Sequence, residues 1–162
     1  EVFVPPKKGR KHVLRVIREL LYFQPQGRRT SIAGALEYLG RVLHRRSVVF
    51  VVSDFQDVGY ETALRHLSRR HDLIAVSLSD PREWRLPDVG FINLQDAETG
   101  EQVLVDSGHQ GVREFYAAEQ EAAVERRDVL FRKTGVDEIA IDATKPYVDP
   151  LIHFFRARMK RH

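Results

Sequence analysis

The sequence contains no cysteine, which excludes disulfide bonds and thiolate metal sites. It also has no apolar run of about 18 residues, the length that a membrane-spanning helix needs, and no signal-peptide pattern precedes Val2. Neither sign of charge dominates, because 26 basic residues face 23 acidic residues and leave a formal net charge of +3. Such a balance is typical of a mixed, solvated surface. We therefore expect a cytoplasmic protein that does not bind nucleic acid.

Common catalytic and cofactor motifs are missing as well. The chain has no G-x-x-x-x-G-K-[ST] or G-x-G-x-x-G loop for a nucleotide and no G-x-S-x-G turn for a hydrolase nucleophile. Its seven histidines are scattered and form no H-x-x-x-H or H-E-x-x-H pair. The sequence thus predicts neither an ordinary nucleotide site nor a zinc site.

What the chain does contain is an alternation of helical and strand patterns within 162 residues, enough for a single domain over 1–162. Continuous β-branched runs at 47–53 and 73–78 predict strands that are buried on both faces. Further strands are expected at 1–4, 90–94, 102–105 and 136–141, the middle two forming a β-hairpin near 90–106. Helices are expected at 10–22, about 32–43, 60–70, 111–134 and 147–160. This order predicts an α/β fold with a mostly parallel, Rossmann-like sheet flanked by helices.

Polar residues follow the two buried strands. Asp54 ends the run VVFVVSDF, and Asp80 follows LIAVSLS. In sheets of this kind, ligands bind beyond the carboxyl ends of the strands. The loop PQGRRTSIAGAL presents Thr30 at the start of the second helix, so Thr30 and Asp54 are expected to converge at one end of the sheet. Possible accessory residues of the same site are Ser53, Asp80 and Gly27.

This pairing of loop and strand resembles the von Willebrand factor A-like fold, whose metal-ion-dependent adhesion site takes a Thr and an Asp from such positions. The runs FVPPKKGRKHVLRVIREL, RRSVVFVVSDF, RRHDLIAVSLSDPRE and DAETGEQVLVD further resemble the carboxyl-terminal part of the bacterial family called domain of unknown function 58. The resemblance implies a protein-binding module, not an enzyme, with Thr30 and Asp54 as metal ligands. It also implies a MoxR-type AAA+ ATPase as the partner.

The sequence departs from the family pattern in one respect, because the Asp-x-Ser-x-Ser motif that begins the adhesion site does not occur. Mg²⁺ requires a fuller set of oxygen ligands than one carboxylate and one hydroxyl provide. We therefore expect Mg²⁺ only in an intact domain and no cofactor in this chain. Because this motif and an initiator Met are both missing, we expect the chain to be a piece of a longer protein. The family resemblance implies that the full-length protein often carries a membrane anchor upstream of this region.

Local structural roles for the same residues stay open. Thr30 or Ser31 is placed to cap the second helix, Asp54 and Asp80 are placed to cap turns, and Asp57 is expected in a solvated loop. An enzymatic alternative is a Mg²⁺-dependent phosphoester hydrolase that uses Asp54, Asp57 and Asp80.

Self-association is a final expectation. If the strand that precedes VVFVVSDF in the family sheet is missing, an apolar sheet edge with unpaired backbone groups is left open. We therefore predict that two copies cover each other's edges or exchange the arm 1–4.

Overall fold

A computed structural model describes residues 2–24, 30–96 and 98–160. The predicted alternation of helices and strands is confirmed, and most boundaries fall within two residues of those expected. The helices are α1 (Arg10–Tyr22), α2 (Ile32–Val42), α3 (Glu61–Ser68), α4 (Gln110–Thr134) and α5 (Val148–Met159). The strands are β1 (Val48–Ser53), β2 (Asp72–Ser79), β3 (Phe91–Gln95), β4 (Gln102–Asp106) and β5 (Asp137–Asp142). None of the described helices is long and apolar enough to cross a membrane.

Three strands form a parallel sheet in the order β1-β2-β5. The register pairs Val48 with Asp72 and, on the other side of β2, Ile74 with Asp137. Strands β3 and β4 form a separate antiparallel hairpin. The fold is therefore α/β, with a parallel sheet flanked by helices and one β-hairpin. Because the three strands run in the same direction, all of them finish at one end of the sheet, called here the carboxyl edge, and begin at the amino edge.

Helices α2, α3 and α4 cover one face of the sheet. Their buried side chains, among them Leu36, Leu64 and Phe131, pack against Val49 and Leu73 of the strands. Burying each such aliphatic or aromatic side chain contributes about 1.5–3 kcal/mol. Helix α4 ends as expected, since Gly135 adopts the left-handed conformation (φ 67°) that closes a helix.

Among the described helices, α5 covers the opposite face of the sheet. Phe154 and Leu151 of this helix pack against Ile74, Val76 and other residues of β2 and β5. At β1, the ring of Phe155 lies 6.2 Å from the ring of Phe50.

The prediction that β1 is buried on both faces is therefore wrong. Val48 and Val52 are 57% and 62% exposed, whereas Val49 between them is buried. The physical reason is position: β1 is an edge strand, and no described helix covers its second face. An unbroken β-branched sequence does not reveal which face is left open. Strand β2, which is paired on both sides, is buried as predicted.

The amino-terminal segment also differs from the expectation of a strand at 1–4. Val2, Phe3 and Val4 form no strand, because Pro5 and Pro6 interrupt the ladder hydrogen bonds and no neighbouring strand is at hand. Glu1 lies outside the described residues. Helix α1 is present as predicted, but it contains no buried residue, so its apolar side chains face solvent.

Candidate functional site

An aspartate lies at the end of each strand of the parallel sheet, and its carboxylate accepts a hydrogen bond from the backbone of the turn that follows. Asp54 Oδ1 accepts a hydrogen bond from the backbone N–H of the residue two positions on, at 3.2 Å. Asp80 and Asp142 make the same contact, each at 2.9 Å. Such turns are a normal use of aspartate where a chain leaves a strand. The predicted turn role of Asp54 and Asp80 is thus confirmed, and each carboxylate has a second oxygen beside the one that the turn uses.

The loop after β1 is held in an unusual conformation. Phe55 has φ 58°, a left-handed backbone angle that is costly for a residue with a large side chain. Its ring is buried against Tyr60 and Phe131, at centroid distances of 6.0 and 5.2 Å. The packing of this ring fixes the loop, and Asp54 is left exposed on its outer side.

Asp57 connects this loop to the start of α2. Its Oδ2 accepts a hydrogen bond from the backbone N–H of Ile32 at 2.7 Å, and its Oδ1 accepts one from Val58 at 2.8 Å. Ile32 opens α2, where backbone N–H groups lack intrahelical partners and the helix dipole favours negative charge. The prediction that Asp57 belongs to a solvated loop is therefore wrong, because its carboxylate joins two loops at the carboxyl edge.

Thr30 and Ser31 have separate roles at the same helix start. Ser31 is the cap of α2, since its hydroxyl accepts a hydrogen bond from the N–H of Gly34 at 3.2 Å. The N–H of Thr30 donates to both carboxylate oxygens of Glu98, at 3.1 and 3.2 Å, and its hydroxyl donates to the same carboxylate. Glu98 lies in the turn of the β3–β4 hairpin, so the hairpin approaches the Thr30 loop.

A small cleft of about 70 Å³ opens beside Asp54, between the ends of β1 and β2 and helix α4. Its polar lining comprises Asp54, Gln56, Ser79, Glu83, Gln120 and Arg127, and Trp84 adds an aromatic wall. Gln56 Nε2 donates to Glu83 across the cleft at 3.4 Å. The cleft therefore presents carboxylates and amides to solvent, a set that suits polar recognition of a partner.

Arg127 reaches this cleft from α4 and also ties the sheet to that helix. Its guanidinium lies 3.0 Å from Glu138 on β5, and Glu138 in turn accepts a hydrogen bond from Ser77 of β2 at 2.6 Å. The Arg127 and Glu138 side chains are only 15% and 24% exposed. Because the pair is largely shielded from water, loss of one partner leaves a partly buried charge without compensation and costs more than loss of a surface ion pair.

Three groups near the carboxyl edge have shifted pKa values. The hydrogen bond from the Thr144 hydroxyl, followed by the contact with Lys145 Nζ at 2.9 Å, lowers the pKa of Asp142 to about 2. The same contact raises the pKa of Lys145. Burial raises the pKa of Tyr60, with a further contribution from Glu61. Asp142 is therefore ionised at every physiological pH.

The described residues of this edge are not grouped as a set of Mg²⁺ ligands. Thr30, Asp54 and Ser53 could each supply an oxygen ligand, but Ser53 Oγ accepts from Phe55 N–H at 3.1 Å and lies 3.4 Å from Asp54 Oδ1. Within residues 2–24, 30–96 and 98–160, no three carboxylate or imidazole groups are arranged to hold a metal ion. Gly27 lies outside the described residues. Thr30 and Asp54 stay candidate ligands that need a larger donor set.

The sequence did not reveal the contacts of three residues of this edge. Asp57 was named as a loop residue and as a hydrolase candidate, but its contact with α2 was not predicted, because its partner is 25 positions away and a lone loop aspartate carries no local signal. Glu98 was assigned only to a hairpin turn, and its partner Thr30 is 68 positions away. Arg127 resembles any other charged residue of a long helix. The helical spacing of α4 could have placed it beside Phe131, four residues on, but not at the end of β1.

Residues 1–127 match the family model described as "Protein of unknown function DUF58". The chain belongs to this family. Uncharacterised proteins of Mycobacterium tuberculosis and Mycobacterium bovis are each 31% identical to it over 162 residues, which is 97% of this chain and 50% of each relative. The chain thus spans about half the length of these DUF58 relatives.

An uncharacterised protein of Mycobacterium avium is 29% identical over 164 residues, which is 97% of this chain and 94% of that protein. No solved structure matches the chain significantly. The residues of the carboxyl edge from Thr30 to Arg127 lie within the part that matches the DUF58 model, whereas the end of β5 at Asp142 lies beyond it.

Proposed function

We propose that this DUF58 chain is a protein-binding module that contacts its partner through the carboxyl edge of the sheet. The observation that carries the proposal is the hydrogen bond from Ile32 N–H to Asp57, at 2.7 Å. This contact joins the Thr30 loop to the Asp54 loop, the two segments on which the resemblance to a von Willebrand factor A-like adhesion site rests. A preorganised loop surface of this kind loses less conformational entropy when a partner binds.

The proposed partner is a MoxR-type AAA+ ATPase, as the family resemblance implies. The exposed carboxylate of Asp54 and the neighbouring polar groups of the cleft would provide hydrogen bonds and charge complementarity. In the chain alone, we propose that recognition proceeds without a bound ion, since Thr30 and Asp54 are too few ligands for Mg²⁺. Titration calorimetry with MgCl₂ is expected to show no one-site binding in the millimolar range, and a tight one-site isotherm would contradict this.

The test is a binding measurement with the MoxR-type ATPase that is encoded nearest to the gene. Asp54→Asn keeps the oxygen that the turn requires and removes the charge, so it should weaken binding by about tenfold without unfolding the chain. Asp106→Asn is the matched control, because Asp106 forms the same turn at the end of β4, outside the parallel sheet. If both variants bind like the unaltered chain, or if the unaltered chain does not bind, the proposal is wrong.

We propose that the chain binds its partner and catalyses no reaction, and an activity screen distinguishes this proposal from the hydrolase alternative. Asp54 and Asp80 accept from the backbone of their own turns, and Asp57 accepts from α2, so each carboxylate has a structural partner. A screen of phosphoester substrates with Mg²⁺ or Mn²⁺ is expected to show no turnover. Turnover that disappears in Asp54→Asn would favour the enzyme instead.

A further inference from the structure

The amino edge of the sheet carries an unusual concentration of positive charge. The two segments that precede β1 and β2, residues 41–47 and 65–71, contain no carboxylate. They contain six exposed arginines: Arg41, Arg45, Arg46, Arg65, Arg69 and Arg70. Throughout the described part of the chain, none of these six guanidinium groups takes part in an ion pair.

The fold brings the two segments together. Strands β1 and β2 are parallel neighbours, and Val48 is paired with Asp72 at their first residues. Just before this pair, the N–H of Asp72 donates to the carbonyl of Ser47 at 2.9 Å. Helices α2 and α3, which end in these segments, also pack against each other. The six arginines therefore share one region of the surface.

Helix electrostatics account for only part of this cluster. Arg41 and Arg65 lie in the last turns of α2 and α3, where a cation interacts favourably with the helix dipole. The other four arginines lie beyond the ends of these helices. Arg70 makes a long hydrogen bond to the carbonyl of Gly40, at 3.4 Å. Unpaired like charges that are held close together repel one another, so the fold itself gains little from them.

A groove of about 460 Å³ lies beside these arginines, between α2 and α3. Its floor is apolar and is formed by Leu36, Ala63 and Leu67. Its rim is mostly basic, with Arg41, Arg70 and His66 against the single acid Glu37. Gly40 also lines the groove, and a side chain there would enter it, since an added Cβ would lie 3.7 Å from Leu67 Cδ1.

We propose that this groove binds an acidic, amphipathic segment of another protein. The apolar floor would take one or two aliphatic side chains, and the arginine-rich rim would pair with carboxylates on either side of them. The charge complementarity identifies the partner as acidic. The basic rim at Arg41 and Arg70 lies near the starts of β1 and β2, and the groove extends from there along α3 to Gly59. The proposal rests on these lining residues and not on Asp54 or on the function proposed above.

The same observations favour a protein segment over a nucleic acid. Single-stranded nucleic acids bind to basic grooves that also supply aromatic side chains for stacking. The residues that line this groove include no Phe, Tyr or Trp side chain. A groove with an aliphatic floor suits leucine or valine side chains instead.

The test uses the whole chain and a synthetic helical peptide of about 16 residues, with leucines on one face and glutamates on the other. Its controls are a scrambled peptide of the same composition and a single-stranded oligonucleotide. Arg41→Gln/Arg70→Gln removes two charges from the rim. Arg126→Gln/Arg156→Gln removes two exposed charges elsewhere and is the matched control. Gly40→Leu fills the groove without changing charge, and leucine also favours a helix more than glycine does.

We expect the amphipathic peptide to bind, and the rim variant to weaken binding by about tenfold while the matched control binds like the unaltered chain. Gly40→Leu should also weaken binding, and the scrambled peptide should bind less tightly. Circular dichroism and thermal unfolding of each variant establish that it is folded. The proposal is overturned if the peptide does not bind at low salt, if both arginine variants lose affinity equally, or if the oligonucleotide binds more tightly through the same arginines.

Discussion

At the carboxyl edge of the sheet, Asp54, Asp80 and Asp142 each accept a hydrogen bond from the backbone two residues on. At the amino edge, six exposed arginines form no ion pair within the described residues. The three aspartates are thus used to build turns, and the six arginines have no ion-pair partner among the described residues, whereas Arg158 at the same amino edge pairs with Asp72 and Asp137. A charged residue that already has a structural partner says little about function, whereas a cluster without partners requires another explanation.

The two regions differ most clearly in whether their arginines have an ion-pair partner. Arg127 is largely shielded and bonded to Glu138, whereas the amino-edge arginines are exposed. Arg127→Ala is expected to lower the free energy of unfolding by about 2–3 kcal/mol, because Glu138 loses its cation while it remains partly buried. Urea-induced unfolding followed by circular dichroism measures this.

Neighbouring and distant arginines provide the controls for that prediction. Arg126 is the adjacent, exposed residue of α4, so Arg126→Ala should change stability by less than about 0.5 kcal/mol. Arg45→Ala/Arg46→Ala at the amino edge should be similarly neutral. A large loss of stability in the amino-edge variant would mean that those arginines have structural partners after all.

Substitution of Asp57 is expected to have the next largest effect on the free energy of unfolding, because the carboxylate of Asp57 caps α2 from another loop. Asp57→Ala leaves the N–H of Ile32 without its acceptor and should cost about 1–2 kcal/mol of unfolding free energy. Asp57→Asn retains an oxygen acceptor and should cost less. Equal losses in the two variants would show that the negative charge, and not the hydrogen bond, matters at this helix start.

The two faces of β1 provide a further contrast, because Val49 is buried while Val48 and Val52 are exposed on an edge strand. We predict that the chain self-associates through this open edge at high concentration. Val48→Lys/Val52→Lys should weaken association by about tenfold in sedimentation or light scattering, since desolvating two lysines is unfavourable. A chain that stays monomeric at high concentration would contradict the prediction.

The smallest effect is expected from pH. The folded pKa of Asp142 is about 2, below its ordinary value of 3.8. A carboxyl whose pKa is lowered by folding stabilises the fold above pH 3.8, and this contribution is lost as the pH falls towards 2. Asp142→Asn should therefore lower stability slightly near neutral pH, where this contribution is present, and flatten the acid limb of a stability–pH curve. An acid limb that is unaltered in the variant would show that other carboxyls cause it.

Sequence patterns were sufficient where a signal is local. The helical spacing of Val13, Leu14 and Ile17 predicted α1, and Gly135 predicted the end of α4. Strand β2 was predicted correctly because a strand that is paired on both sides leaves a continuous apolar run.

Patterns failed where the outcome depends on distant parts of the chain. The run VVFVVS has the same signature as β2, yet its second face is open, because which helix covers a strand is decided by tertiary packing. The contacts of Asp57 with Ile32 and of Thr30 with Glu98 join residues 25 and 68 positions apart. No spacing rule anticipates them. The site residues Asp54 and Thr30 could be named from sequence, but not the residues that position their loops.

The most direct measurement is hydrogen–deuterium exchange of the chain with and without a saturating concentration of the MoxR-type ATPase. The amides of Ile32, Phe55 and Gln56 donate to acceptors at the carboxyl edge, so they report on the two joined loops. The proposed function predicts slower exchange in the peptides that contain these amides when the ATPase is bound. Unchanged exchange there, with protection confined to other parts of the chain, would contradict it.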